Sequence, residues 1–220
     1  MPALQANMVR VKICGITNWA DAAVALEAGA NALGFNFYPA SPRYIPPSHA
    51  RMIVSRMSPG VDAVGVFVNA SFAAAHEIGL AVDLDVLQLH GDETPEAVAE
   101  FSESWPLIKA FRVSPDFRAE LLETYRAHTD FFLLDGFSHD ARGGTGNSFD
   151  WSVARAAKQY GRIFLSGGLT PENVGDAVRQ VRPFAVDVCS GVEASPGKKD
   201  AARVREFIAA VEAASKEIAQ

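Results

Sequence analysis

Ile163-Phe164-Leu165-Ser166-Gly167-Gly168-Leu169-Thr170 is an apolar run that ends in a pair of glycines. Two other segments have the same build. Phe131-Phe132-Leu133-Leu134-Asp135 leads to Gly143-Gly144-Thr145-Gly146, and Ala185-Val186-Asp187-Val188 leads to Cys189-Ser190-Gly191. Each is followed by a helix-like stretch. Glycine at the top of a strand lets backbone N–H groups approach a ligand closely, and a helix starting there adds the positive end of its dipole. One such turn is a weak signal. Three in successive βα units point to a phosphate gripped by backbone amides, in the place where eight-stranded βα barrels hold theirs.

Outward from that stretch, the chain repeats one pattern eight times: short apolar run, loop, amphipathic stretch. The predicted strands are Val9–Cys14, Ala32–Phe37, Ala63–Val68, Val86–Leu89, Leu107–Phe111, Phe131–Asp135, Ile163–Ser166 and Ala185–Val188. They are rich in β-branched and aromatic residues and bounded by Gly, Pro, Asn or Asp. Helices are predicted at 18–28, 48–57, 71–80, 95–103, 115–127, 150–159, 171–180 and 200–218. Thr94-Pro95 and Thr170-Pro171 read as a capping threonine followed by proline at the first helical position, and Ser148 or Asp150 can cap the sixth helix. Eight such units within 1–220 predict one α/β domain, a single (β/α)₈ TIM barrel. A doubly wound sheet is the runner-up; the count of eight and the absence of G-x-G-x-x-G after the first strand favour the barrel. The longest irregular stretch, Gly136–Ser148, reads as a mobile lid or phosphate-facing loop.

Composition narrows the partners. The chain has 220 residues, 49% of them hydrophobic, and a net charge of −6. No basic run is present, which argues against nucleic acid or an anionic membrane and leaves room for a small anionic ligand. Two cysteines are too few for a disulfide framework. Residues 1–8 lack the apolar core of a signal peptide, and no run is long enough to span a membrane. A cytoplasmic setting is the expectation. With no H-x-H, no H-E-x-x-H and no clustered Cys, no metal is expected.

Alternation along the first strand places Arg10, Lys12 and Cys14 on one face, with Cys14 at the C-terminal rim where barrel enzymes do their chemistry. An inward Lys12 needs a partner and reads as an electrostatic anchor or structural pair. Its charge is expected to lower the Cys14 thiol pKa, which suits a base or nucleophile. Cys189, on the eighth strand's top, reads as packing or as a support behind the site residues. Asp135 ends the sixth strand beside an apolar interior, where a raised pKa would suit a general acid. Asp187 must pair with Lys12 or touch the ligand, and both readings stand. Arg43 follows Ser41-Pro42 in the loop after the second strand and is suited to a carboxylate. His90-Gly91-Asp92 is either ligand-facing or a turn.

Val11-Lys12-Ile13-Cys14-Gly15-Ile16-Thr17 resembles the opening strand of the phosphoribosylanthranilate isomerase family of tryptophan biosynthesis. The similarity continues through Phe37–Ile45 (containing Ser41-Pro42-Arg43-Tyr44), Gly65–Asn69, Leu87–Glu93, Leu133–Asp135, Gly143–Gly146 with Phe149-Asp150-Trp151, Leu165–Leu169, and Val186 to Asp200. The resemblance implies an Amadori rearrangement of N-(5-phosphoribosyl)anthranilate. It implies Cys14 as base, Asp135 as acid, Arg43 on the anthranilate carboxylate and Asp187 near the anthranilate nitrogen. The phosphate would fall on amides around Gly144, Gly146, Gly168, Ser190 and Gly191. It implies no cofactor, a small phosphorylated substrate as partner, and a monomer or homodimer. Rival readings are a sugar-phosphate lyase using Lys12 as a Schiff-base amine and a binding protein on the same scaffold. A sister isomerase of histidine biosynthesis is expected to carry Asp where Cys14 sits.

Overall fold

The computed structural model describes residues 8–136 and 150–219. Eight parallel strands close into a barrel in chain order. They are β1 (Arg10–Cys14), β2 (Ala32–Asn36), β3 (Asp62–Phe67), β4 (Val86–Leu89), β5 (Leu107–Val113), β6 (Phe131–Gly136), β7 (Arg162–Leu165) and β8 (Ala185–Val188). Outside them run α1 (Trp19–Ala28), α2 (Pro47–Val54), α3 (Phe72–Val82), α4 (Pro95–Ser102), a 3₁₀ helix at Ala119–Tyr125, α5 (Trp151–Ala157), α6 (Val174–Val181) and α7 (Ala201–Ile218). Lys12 closes the ring, lying opposite Ala32 of β2 on one side and Asp187 of β8 on the other.

Side chains alternate across the barrel wall. Ile13, Leu33, Phe35, Leu87, Phe132 and Leu134 face the helices and are buried there. Ala32, Val64, Ile108, Ala110, Leu133, Phe164 and Ala185 fill the interior. The N-terminal mouth is plugged by Phe131, Phe164 and Phe184, whose ring centroids lie 5.4–6.2 Å apart, with Arg162 over two of the rings. Arg10 and Asp62 pair at the edge of that end, while the buried polar inward residues Lys12, Gln88 and Asp187 stand toward the C-terminal end.

Three local expectations change. The fifth helix is a 3₁₀ helix and shorter than 115–127. Its buried residues, Ala119, Leu122 and Tyr125, recur every third residue, which is the period of a 3₁₀ helix and not of an α-helix. The sixth α-helix starts at Val174, because Asn173 closes the turn before it, accepting from the Thr170 N–H and donating to the Gly168 carbonyl. Between β8 and α7 lies an unanticipated hairpin, β9 (Glu193–Ser195) and β10 (Lys198–Lys199). Pro196-Gly197 turns it, with Gly197 at φ +80, the left-handed position that glycine fills without strain. Thr94 and Asp150 do cap their helices, accepting from Ala97 and Ser152 N–H; Ser148 lies outside the described residues.

Candidate active site

At the C-terminal rim the inward residues form three linked groups. The first stands on β1, β7 and β8. The Lys12 ammonium, fully buried, lies 2.6 Å from Asp187 Oδ1, and Ser166 donates to Oδ2 at 3.0 Å. Cys14 sits one pleat above Lys12. The Lys12 ammonium and the Cys14 sulfur both lie where a side chain on Gly34 of β2 would be, so that glycine gives them their room.

The charges of this group are set by competition. Burial alone would strip the Lys12 ammonium of its proton, but Asp187, with help from Cys14, outweighs it and the net shift is upward. Lys12 is therefore a cation in an ion pair, and a Schiff-base amine must be neutral to attack. The Cys14 thiol is pushed up, not down: burial raises it, Lys12 pulls it down, and Asp187 opposes Lys12. Lys12 does pull this thiol down, but burial is the larger effect and carries the net shift upward, with Asp187 offsetting part of the Lys12 pull.

The second group joins the β2 loop to the hairpin after β8. Glu193 accepts from Arg43 Nε at 3.3 Å and Nη2 at 2.7 Å, and from Lys199 Nζ at 3.1 Å. Lys199 is opposite Glu193 in the hairpin register, which is why both point to one place. Cys189 Sγ lies 3.6 Å from Glu193 Oε1 and 3.7 Å from Lys199 Nζ. Burial holds its thiol up at about 12. Gly15, at φ +75, lets the top of β1 pass close to Arg43 and Cys189. One edge of the Arg43 fork is thus engaged by Glu193, and its Nη1 lies on the other edge.

The third group is on β4 and β6. Asp135 Oδ2 lies 3.4 Å from His90 Nε2, and Gln88 Nε2 lies 2.7 Å from His90 Nδ1. His90 therefore faces the site rather than only turning the chain. Behind it, the buried Lys109 and Glu93 pair at 2.8 Å. Glu93 also accepts from the Gly91 and Asn69 N–H groups, and Lys109 donates to the Gly91 carbonyl at 2.8 Å. This clamp fixes the loop that carries His90.

The glycine turns meet at the same end. A side chain on Gly167 would strike the Gly136 backbone beside Asp135, and one on Gly191 would overlap the Leu169 carbonyl. The end of β6 and the turns after β7 and β8 can touch only because these positions are glycine. Gly168 and the short 3₁₀ turn Ser190–Val192 thus lie together. Gly144 and Gly146 fall outside the described residues. Glu193, Lys199, Gln88 and the Lys109–Glu93 pair were not singled out from sequence. For Gln88 a signal existed, since alternation puts it on the face of Val86 and His90.

A family model described as N-(5'phosphoribosyl)anthranilate (PRA) isomerase matches residues 11–210. The N-(5'-phosphoribosyl)anthranilate isomerase of Geobacter metallireducens is 50% identical over 201 residues, covering 91% of this chain and 98% of that one. The crystal structure of the Thermotoga maritima phosphoribosyl anthranilate isomerase superposes with a TM-score of 0.85 at 46% identity, covering 94% of this chain and all (100%) of that one. A structure of a phosphoribosyl anthranilate isomerase in complex with reduced 1-(o-carboxyphenylamino)-1-deoxyribulose 5-phosphate gives 0.82 at 44% identity, with coverage of 94% and 100%. With fold, sequence and rim in agreement, the chain belongs to the N-(5'-phosphoribosyl)anthranilate isomerase family and is an isomerase of tryptophan biosynthesis.

Proposed function

We propose that Cys14 and Asp135 are the base and acid of this isomerase's Amadori rearrangement, which converts N-(5-phosphoribosyl)anthranilate to 1-(2-carboxyphenylamino)-1-deoxyribulose 5-phosphate. The observation that carries the assignment is their placement: both stand at one rim, on β1 and β6, with the Lys12–Asp187 pair below them. Asp135 gives its proton to the furanose ring oxygen. The C1′–O bond breaks, the nitrogen lone pair forms C1′=N, and the nitrogen becomes positive. That positive charge next to a thiol held up by burial favours the thiolate. Cys14 then takes the proton from C2′, and the C–H electrons form C1′=C2′ and neutralise the nitrogen. The enolamine becomes the ketone by gaining a proton at C1′ and losing one from the 2′-hydroxyl. No electrons are exchanged with an outside donor, so the sequence of steps calls for no cofactor.

The remaining residues bind. Arg43 meets the anthranilate carboxylate through the edge that Glu193 leaves. Asp187 puts a negative charge below the cationic nitrogen. The phosphate takes the amides of Gly168, Ser190 and Gly191; Gly144 and Gly146, outside the described residues, are assigned to it by the family resemblance. The setting is cytoplasmic; no described helix is long and apolar enough to cross a membrane. The test is loss of substrate fluorescence on adding enzyme. Cys14→Ser and Asp135→Asn should each lower kcat by about 10²–10⁴-fold, the usual worth of a general base or acid. Near-normal turnover in either variant removes that residue from its role.

A further inference from the structure

We propose that Glu193 is a positioning residue for the aromatic end of the substrate: it fixes the plane of the Arg43 guanidinium so that one edge is presented to the anthranilate carboxylate. This rests on Arg43 being the residue that meets that carboxylate. The donors of a guanidinium lie in one plane and can serve two carboxylates side by side. Glu193 takes the edge formed by Nε and Nη2, at 3.3 and 2.7 Å. The edge formed by Nη1 and the second Nη2 proton remains for a ligand, and it makes two parallel bonds only when the plane is correctly turned. The Glu193 side chain is 4% exposed and that of Arg43 25%. The holding group is thus shielded, and the held group reaches outward.

The hairpin fixes Glu193 in turn. Its Oε1 also accepts from the Gly197 N–H at 3.2 Å and from Lys199 Nζ at 3.1 Å. Thr17 donates its hydroxyl to the Gly197 carbonyl at 2.6 Å, and Asp21 accepts from the Lys199 N–H at 2.8 Å. Thr17 and Asp21 lie on the segment that follows β1. The hairpin tip also rests against the arginine's own loop, since a side chain on Gly197 would stand 3.2 Å from the Pro42 carbonyl. Glu193 is therefore fixed relative to the strand that carries Cys14, and Arg43 lies close enough to feel that thiol.

Charge alone does not explain the arrangement. Burial pushes the Glu193 carboxyl up, but Arg43 and Lys199 carry it below its ordinary value, so it is ionised at neutral pH. A carboxylate beside Arg43 subtracts from the attraction for a second one. If Arg43 supplied only charge, Glu193 would weaken binding, and its removal would strengthen it. If Glu193 supplies direction, its removal weakens binding. The two roles differ in sign.

Glu193→Gln keeps the shape, removes the charge and leaves one oxygen to accept. Equilibrium binding of the reaction product should weaken about tenfold, the worth of a hydrogen bond to a charged group. KM should rise in step while kcat and the affinity for inorganic phosphate stay as in the wild type. In an Arg43→Lys background, where no plane is left to orient, the same change should cost less than about twofold, because the two residues act as one unit. Product binding that is unchanged or tighter in Glu193→Gln overturns the proposal. Equal loss of phosphate affinity, or losses that simply add in the double variant, makes Glu193 a general support of the rim and also overturns it. Should Glu193→Gln not fold, Glu193→Asp, which keeps the charge and falls short of the fork, takes its place with the same expected outcomes. If Arg43→Lys alone binds product normally, the reading of Arg43 itself falls, whatever Glu193 does.

Discussion

Arg43 carries the aromatic end of the proposed substrate site, and its present partner sharpens what a substitution should do. Glu193 holds Nε and Nη2, so a carboxylate must use the remaining edge of a fixed plane. Lysine keeps the charge and loses the plane. Arg43→Lys should raise KM or lower kcat/KM for the anthranilate substrate while inorganic phosphate binds as before; equal loss for phosphate would place Arg43 at the other end of the substrate. For Cys14 the sign of the pKa shift sets a pH dependence. Burial lifts the thiol above its ordinary value, with Asp187 offsetting part of the help from Lys12. The thiolate is thus a minority at neutral pH, and kcat/KM, which reports the free enzyme, should climb with pH through a limb above the ordinary cysteine range. A rate profile whose limb sits at or below that range contradicts the burial argument.

At the level of elements, the turns after β7 and β8 work as one unit because Gly191 lies against the Leu169 carbonyl. Gly191→Ala must push these turns apart, since backbone cannot rotate away as a side chain would. Titration with inorganic phosphate should show affinity roughly tenfold weaker, about 1.4 kcal/mol; unchanged affinity would move the phosphate away from this turn. The strands were legible because parallel barrel strands are buried on both faces and read as apolar runs between turn residues. The helix starts capped by Thr94 and Asp150 were legible for the same local reason, whereas the Thr170-Pro171 signal misled, because Asn173 closes a turn there and caps the helix instead. The 3₁₀ helix was hidden because a period of three and one of 3.6 barely diverge over seven residues. The hairpin was signalled by Pro196-Gly197 but its strands are too short to show alternation. The inward placement of Cys14, Asp135 and Asp187 at or near strand tops could be read from alternation alone. Pairings such as Arg43 with Glu193 could not, because only barrel closure brings the β2 loop to the segment after β8. The upward shift of Cys14 was hidden for a related reason: Lys12 is two residues away in sequence, while the burial that outweighs it is visible only in three dimensions.

For the whole molecule, charges buried between sheet and helices set the response to acid. Burial pushes the Glu93 carboxyl up, but the Lys109 hydrogen bond and charge, with the Asn69 amide, carry it below its ordinary value. A depressed folded pKa means that this stability is present above the unfolded carboxylate pKa and is lost as pH falls through the folded one. Glu93→Gln should cost about 3 kcal/mol at neutral pH, as for one partner removed from a buried pair. The gap in thermal stability from wild type should then close as the pH drops below the ordinary glutamate range; a gap independent of pH would deny the pair its part in stability. The ring's closure by Lys12 and Asp187 also bears on how the molecule is made. A ribosome delivers β1 first and β8 last, so the strand bearing Cys14 leaves the exit tunnel with an ammonium that has no counter-charge and a sheet edge that has no neighbour. That edge must be kept open, neither hydrated away nor paired with another nascent chain, until β8 has emerged. Products that stop short of β8 carry the sulfur but not the Asp187 carboxylate beneath it, so the Lys12–Asp187 pair under the proposed base forms only once β8 has been made.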